Sequence, residues 1–349
     1  MYYMGIDHHK QSSHLTVLGN DGQIVKAGAV RNRRLEVEKF IHEVKIDLKA
    51  VIEAGRSSYT MVEILEELGV EVIIAHPYQI KAIASAKIKT DKRDSKILAQ
   101  LLRMDMIPQV YRRSPDNREQ QRVLRHRLFY VRMQTRLKNK IRAHLAHQGE
   151  DIRQLVEMQD RLFNKKGMQL LQQLTLENQD QNIFSSLLET LAHIQEKIKA
   201  SDKLVSEIYR NSKVAQRLRS IPGLGEFFSV TVAIELADIN RFLSVSKLHS
   251  YAGLIPSTHA SGQRSYQGRL VRQGNKWLRW ALVEAVWPSI TSDIHLRIHY
   301  QRLAHKKGSN SAKVATARKL LTIVYHVWKE DKDYDPAKHK NQSATFMRN

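Results

Sequence analysis

The sequence predicts an N-terminal α/β domain, followed by a helical, coiled-coil-like region and a mainly α-helical C-terminal domain. Short apolar strands alternate with helical patterns from residue 1 to about residue 110. Beyond this point glycine becomes rare and leucines recur at helical spacing, whereas Gly-rich turns return near residue 213. We therefore expect domains at 1–110, 111–212 and 213–330, with a polar tail at 331–349.

The first segment predicts a mixed β-sheet that carries helices on its faces. Its strand-type runs lie at residues 2–7, 14–18, 24–25, 49–53 and 71–75. The sequence Asn20-Asp21-Gly22 is typical of a hairpin turn between the second and third strands. Helical patterns near residues 35–44 and 59–68 separate the later strands, which is the order expected of helices on a mixed sheet.

The charge of the chain indicates a polyanionic partner. Lysine and arginine number 57 against 35 acidic residues, which gives a formal charge of +22 and a pI of about 10.0. Nucleic acid is the partner that such a surplus favours. The absence of cysteine excludes disulfides, thiol catalysis and Cys-ligated zinc. No secretory leader or membrane-spanning apolar run is present, so we expect a soluble, intracellular protein with no membrane partner.

Two aspartates three residues apart, Asp91 and Asp94, stand in a basic run. Apolar residues at helical spacing follow them, so both carboxylates should share one helix face. Two like charges at that distance repel, and a divalent cation bound between them usually relieves the repulsion. The alternative is a helix N-terminus whose acids favour the macrodipole beside solvated lysine and arginine side chains.

Two further acids end predicted strands. Asp7 closes the first strand and Glu53 closes a central one. Because α/β sheets place active sites at the carboxyl ends of their strands, Asp7 and Glu53 can join Asp91 and Asp94. Four carboxylates there would hold two Mg²⁺ ions, which stabilise the attacking and leaving oxygens in phosphodiester chemistry.

The helical middle region carries a basic surface and an apolar seam. Arginines at helical spacing, among them Arg125, Arg132 and Arg136, predict contacts to phosphates, although a solvated helix face is the alternative. Apolar residues from Phe184 to Ile208 alternate steps of three and four, with Ser201 as the exception. This seam predicts a helical hairpin or a coiled coil used for self-association, but a core-facing helix would show the same pattern.

The third segment contains two candidate nucleic-acid contacts. Gly223 and Gly225 lie in a turn between helices, where they could let the backbone approach a phosphate. A simple tight turn is the alternative. Farther on, residues 251–279 predict a loop rich in Gly, Ser and Arg between two helices. The residues alone do not distinguish a chemical role for Ser257, Ser261 or Ser265.

The motifs resemble a known family. The order Asp7, Glu53, Asp91, Asp94, with G-I-D on the first strand and T-D-K-R-D on the helix, resembles the tetrad of RuvC-like nuclease domains. More narrowly, it resembles DEDD-type transposases of bacterial insertion sequences, which are guided by a structured bridge RNA. The strings G-L-I-P-S-x-x-x-S-G and G-R-L-x-R-Q-G-N-x-x-L-R resemble the C-terminal transposase domain of the same family. The resemblance extends to about residue 330.

This resemblance implies a RuvC/RNase H-like sheet and a Mg²⁺-dependent DNA recombinase with Ser261 as its nucleophile. It also implies donor and target DNA, a guide RNA and a homo-oligomer, either dimer or tetramer, at the nucleoid of the bacterial cytoplasm. Basic residues near the serine would position the DNA backbone, namely Arg264, Arg269, Arg272 and Lys276.

Two alternatives compete with the recombinase. In a junction-resolving endonuclease the same metals would activate water, and Ser261 would be structural. A covalent protein–DNA adduct that Ser261→Ala abolishes separates these two activities. A nucleic-acid-packaging protein is the third alternative, and its binding should be unchanged by EDTA and by Asp91→Ala.

Overall fold

The protein divides into two compact units, Met1–Arg113 and Ser114–Asn349, and each is described by itself. The structure is a computed structural model. It describes residues 1–44, 47–55, 57–84, 90–157, 159–261, 264–271 and 273–337. Within these residues no helix is both long enough and apolar enough to cross a bilayer.

The first unit is built on one five-stranded mixed sheet. Its strands are β1 (Tyr2–His8), β2 (Ser12–Leu18), β3 (Ile24–Arg31), β4 (Leu48–Glu53) and β5 (Glu71–Ala75). Their order in the sheet is β3-β2-β1-β4-β5. The first three strands form an antiparallel meander, while β4 and β5 run parallel to β1. The predicted mixed sheet is therefore confirmed.

Helices cover both faces of this sheet. They are α1 (Arg34–His42), α2 (Ser58–Glu67), α3 (Pro77–Ile83) and α4 (Asp91–Arg103). On one face Met4 and Ile6 of β1 pack in a core with α1 and α2. On the other face Val51 of β4 packs with Leu98 and Leu101 of α4. Because side chains alternate along a strand, odd-numbered residues of β1 and β4 face α4.

Two long helices dominate the first half of the second unit. Its elements are α5 (Pro115–Leu145), α6 (Glu150–Val156), a 3₁₀ turn (Gln159–Phe163), α7 (Lys165–Gln173) and α8 (Asn178–Arg210). The apolar seam of α8 packs against α5: Phe184 shares a core with Ile141, and Val205 shares one with Leu124. The seam is thus buried within one chain as a helical hairpin, so it gives no separate support for self-association.

The rest of the unit contains α10, a helix that is buried along most of its length and packs against α5, α8, α9 and α12. The elements are α9 (Lys213–Leu218), α10 (Glu226–Leu236), α11 (Val245–Ala252), β6 (Pro256–Ser261), β7 (Arg264–Leu270), α12 (Lys276–Ser292), α13 (Ile294–Lys307) and α14 (Ser309–Lys329). The prediction of a Gly/Ser-rich loop is wrong over part of its length, because two of its segments, β6 and β7, pair as an antiparallel hairpin. The sequence shows no apolar alternation over these residues, so periodicity does not predict the two strands.

Candidate metal centre and serine hairpin

Helix α4 reaches the acidic end of β1 because Gly5 has no side chain. A Cβ at this position would lie 1.9 Å from the Ser95 carbonyl oxygen and 2.4 Å from the Ala99 nitrogen. Ser95, itself fully buried, also hydrogen-bonds to Thr16 of β2 through the two hydroxyls, 2.7 Å apart. The Thr90 side chain caps the helix by accepting a hydrogen bond from the Arg93 amide. These contacts fix the first turn of α4 over the sheet.

The sheet register puts Asp7 and Glu53 on adjacent strands. Ile6 of β1 pairs with Ile52 of the parallel strand β4. The next residue on each strand is Asp7 and Glu53, and both lie on the face that α4 covers. The backbone register therefore puts these two acids at the ends of adjacent strands. Among the described residues, the group of ligand atoms that lie within 4.8 Å of one another contains Asp7 but neither Glu53 nor Asp94.

An imidazole joins the acids at this edge. The His9 Nε2 atom lies 3.4 Å from the Asp7 Oδ2 atom and 3.3 Å from the Asp91 Oδ2 atom. Ligand atoms of these three residues all lie within 4.8 Å of one another. Sequence reasoning missed His9, although the run Asp7-His8-His9 at the end of an apolar strand was the available signal.

The electrostatics of this edge favour a cation. Burial raises the pKa of the Asp7 carboxyl; His9 opposes the rise, and the Asp91 and Asp94 carboxylates add to it. Neighbouring carboxylates therefore destabilise the Asp7 anion, as expected where like charges converge. A divalent cation would relieve this repulsion, and carboxylate oxygens are the donors that Mg²⁺ prefers. The residues present thus fit a divalent metal.

The predicted nucleophile ends strand β6 of the hairpin formed by β6 and β7, called here the serine hairpin. Ser261 pairs with Arg264 across the hairpin, while residues 262 and 263 lie outside the described part of the chain. The structure describes the backbone of Arg264 and Arg269 in β7, but Arg272 falls outside its described residues.

Both ends of the hairpin are tied together at its base. The Asn275 amide donates to the Tyr251 carbonyl at 2.7 Å, and the Val271 amide donates to the Ile255 carbonyl at 3.0 Å. Gly253 has a φ of +65°, and a Cβ at Gly274 would lie 2.3 Å from the Gly253 nitrogen. The two strands therefore leave the helical body from a narrow, fixed base.

A buried carboxylate lies beneath this base. Glu235 is only 3% exposed and accepts hydrogen bonds from Gln121 at 3.2 Å, Arg125 at 3.3 Å and Asn275 at 2.8 Å. The Asn275 Oδ1 atom also caps α12 by accepting from the amides of Trp277 and Leu278. Sequence reasoning missed this network, whose signal was one acid inside the apolar run 230–236.

The residues predicted to contact nucleic acid differ in exposure and in the space around them. Arg136 is exposed on α5. Gly225 precedes α10, and a Cβ added there would have no neighbouring atom within 4 Å. Gly223 has a φ of +85°, and a Cβ there would lie 2.2 Å from the Ser289 Oγ atom of α12. The tight-turn alternative therefore explains why position 223 is glycine.

Three other basic side chains converge on one indole. The guanidinium carbons of Arg125 and Arg132 each lie 5.3 Å from the centroid of the Trp277 ring. The Lys276 ammonium lies 5.6 Å from the same centroid.

Comparisons with known proteins agree with this arrangement. Residues 4–148 match the DEDD-type IS110 family model, described as a transposase, and residues 215–301 match the model of the transposase IS116/IS110/IS902 family. The acid-bearing sheet and the helical domain that follows it therefore define a transposase. The two matches occur in order along one chain, and the protein belongs to the IS110-type family of insertion-sequence transposases.

Three relatives illustrate the range of similarity. The transposase of insertion sequence element IS1111A from Coxiella burnetii is 21% identical over 95% of this chain and 90% of its own length. The IS1533 transposase of Leptospira borgpetersenii is 34% identical over 29% of this chain and 30% of its own. The pilin gene-inverting protein of Moraxella bovis is 33% identical over 36% of this chain and 40% of its own.

Proposed function

We propose that this transposase cuts and rejoins DNA through a covalent link between Ser261 and a DNA phosphate, assisted by two Mg²⁺ ions. The observation that carries the proposal is the convergence of acids at the end of β1. There the Asp7 and Asp91 carboxylates flank one imidazole nitrogen at 3.4 and 3.3 Å. Such a cluster has little structural purpose in so basic a chain, whereas it suits chemistry on a polyanion.

Four residues would hold the ions: Asp7, Glu53, Asp91 and Asp94. Bound there, divalent ions stabilise the charge on the attacking and leaving oxygens of a phosphodiester. The His9 imidazole orients the Asp7 and Asp91 carboxylates toward each other. Gly5 sets the height of α4 above the sheet and thereby the distance between the helix acids and the strand acids.

The serine step conserves the number of phosphodiester bonds. A bond forms between the Ser261 Oγ atom and phosphorus while the bond from phosphorus to one sugar oxygen breaks. The hydroxyl loses its proton, and the leaving sugar oxygen gains one. Rejoining is the reverse attack by a sugar hydroxyl, so no ATP is needed. The gene-inverting relative supports rejoining, because inverting a DNA segment requires the cut strands at both of its ends to be resealed.

The partners that we propose are donor DNA, target DNA and a guide RNA that selects the site. The charge of +22 and the exposed arginines of α5 support a large nucleic-acid surface. The serine and the acids would meet in an assembly of two or four copies of the chain. The complex would act at the nucleoid in the bacterial cytoplasm, where its DNA substrates are found.

Denaturing gel electrophoresis of end-labelled element DNA tests this proposal. With Mg²⁺ and RNA transcribed from the noncoding flank of the element, we expect a labelled protein–DNA adduct. Ser261→Ala and Asp91→Asn should each abolish the adduct. Ser257→Ala, on the same strand β6, is the matched control and should retain it. Free DNA ends without any adduct would instead indicate hydrolysis by water and would overturn the serine assignment.

A further inference from the structure

The cations around Trp277 form a compact cluster, called here the Trp277 cluster and defined by Arg125, Arg132, Lys276 and Trp277. Arg125 and Arg132 are seven residues apart on α5, so two helical turns bring them to the same face. Lys276 and Trp277 form the start of α12. Two separate elements therefore contribute positive charge to one indole, with all three cations within 5.6 Å of its centroid.

The charge of this cluster is only partly balanced. Arg125 is paired with the buried Glu235 carboxylate at 3.3 Å, which fixes its guanidinium. Within the described part of the chain, neither Arg132 nor Lys276 forms an ion pair. The ring attracts these cations through its quadrupole, but it does not neutralise them. Uncompensated positive charge gathered around one ring attracts an anion with several acceptor oxygens.

The cluster lies next to the base of the serine hairpin. Lys276 directly follows Asn275, whose amide bonds to the Tyr251 carbonyl at the base of the serine hairpin. The Asn275 side chain already satisfies the Trp277 and Leu278 amides, so the ligand must be bound by the cations and not by the helix terminus. An anion bound here lies where β6 and β7 leave the helical body.

We propose that the Trp277 cluster binds one backbone phosphate of the DNA that the serine hairpin approaches. The identification of the ligand as DNA rests on the proposed function. Arg125, fixed by Glu235, and the indole orient the cluster. Arg132 and Lys276 supply the charge that the phosphate neutralises, and the bound phosphate sets the register of the DNA relative to Ser261.

Fluorescence anisotropy with labelled duplex DNA over a range of salt concentrations tests the site. Arg132→Gln should weaken binding about tenfold and reduce the slope of log K against log salt by about one, the value for one lost phosphate contact. Arg132→Lys should retain the slope. Lys199→Gln, an exposed site on α8, removes the same charge elsewhere and should leave the slope unchanged. Thermal melting of each variant verifies that it is folded.

Several outcomes would overturn the site. These are an unchanged slope in Arg132→Gln, an equal loss in Lys199→Gln, or a loss confined to single-stranded RNA tested in parallel. Failure of the proposed function is distinguishable from failure of the site. If no Ser261 adduct forms while Arg132→Gln still lowers the slope on DNA, the serine chemistry is wrong and the phosphate site stands.

Discussion

Replacing Gly5 by alanine should separate the two halves of the acidic centre. The new methyl group would lie 1.9 Å from a backbone oxygen and 2.4 Å from a backbone nitrogen of α4. Neither atom belongs to a flexible side chain, so the clash cannot be relieved by a rotamer change. An ordinary contact requires the helix to retreat by about 1.5 Å from the sheet.

The displacement has consequences for stability and for chemistry. Overpacking of this kind costs about 3 kcal/mol, the upper end of the usual range, because backbone must move. Ligands of a functional site must be held to within about 0.5 Å, and α4 carries Asp91 and Asp94. A misplacement of this size should slow DNA cutting by about 100-fold or more.

Urea unfolding and a single-turnover cleavage assay measure the two effects. Gly28→Ala is the matched control, since a Cβ there makes only an ordinary contact, 3.6 Å from the Phe40 ring. This control should change stability by less than about 0.5 kcal/mol and leave cleavage unaffected. Full activity and stability in Gly5→Ala would refute the argument that close packing of α4 positions the acids.

Three further predictions follow from buried or converging charges. Glu235→Ala should destabilise the protein by about 2 kcal/mol in urea, because the buried Gln121 amide loses its acceptor; wild-type stability would show that the network is dispensable. Burial, chiefly, and the nearby Arg318 charge lower the pKa of His249 to about 4, so the unfolded chain binds this proton more readily. Stability from the neutral imidazole is full above about pH 6.5 and should fall by about 2 kcal/mol by pH 5, a loss that His249→Gln should remove from urea curves. Asp91→Asn should abolish Mn²⁺ binding in calorimetry without changing stability, since Asp91 is 63% exposed; retained binding would argue against this ligand.

The sheet could be predicted because its patterns are local. Apolar alternation, the Asn20-Asp21-Gly22 turn and strand-terminal acids mark β1 to β5 within short windows. The helix that carries Asp91 and Asp94 is equally local, since its apolar spacing and the Thr90 cap lie within one segment. Parallel pairing of β1 and β4 then puts Asp7 and Glu53 at the ends of adjacent strands.

The remaining features depend on contacts between distant residues. His9 approaches Asp91 only because Gly5 lets α4 settle on the sheet, and no spacing in the sequence encodes that distance. The hydrogen-bond donors to Glu235 lie on two distant segments, α5 and the residue before α12, so local sequence does not indicate that this acid is buried. The sequence predicts a loop at the serine hairpin because its two paired segments show no apolar alternation, and their pairing joins residues that no local pattern links.

Anomalous diffraction from crystals soaked in Mn²⁺ tests the central claim most directly. The acids at the ends of β1 and β4 and on the first turn of α4 should surround the same density peaks. We expect oxygens of Asp7, Glu53, Asp91 and Asp94 within about 2.5 Å of these peaks. Crystals without a peak at this edge, or with Glu53 turned away from it, would contradict the account.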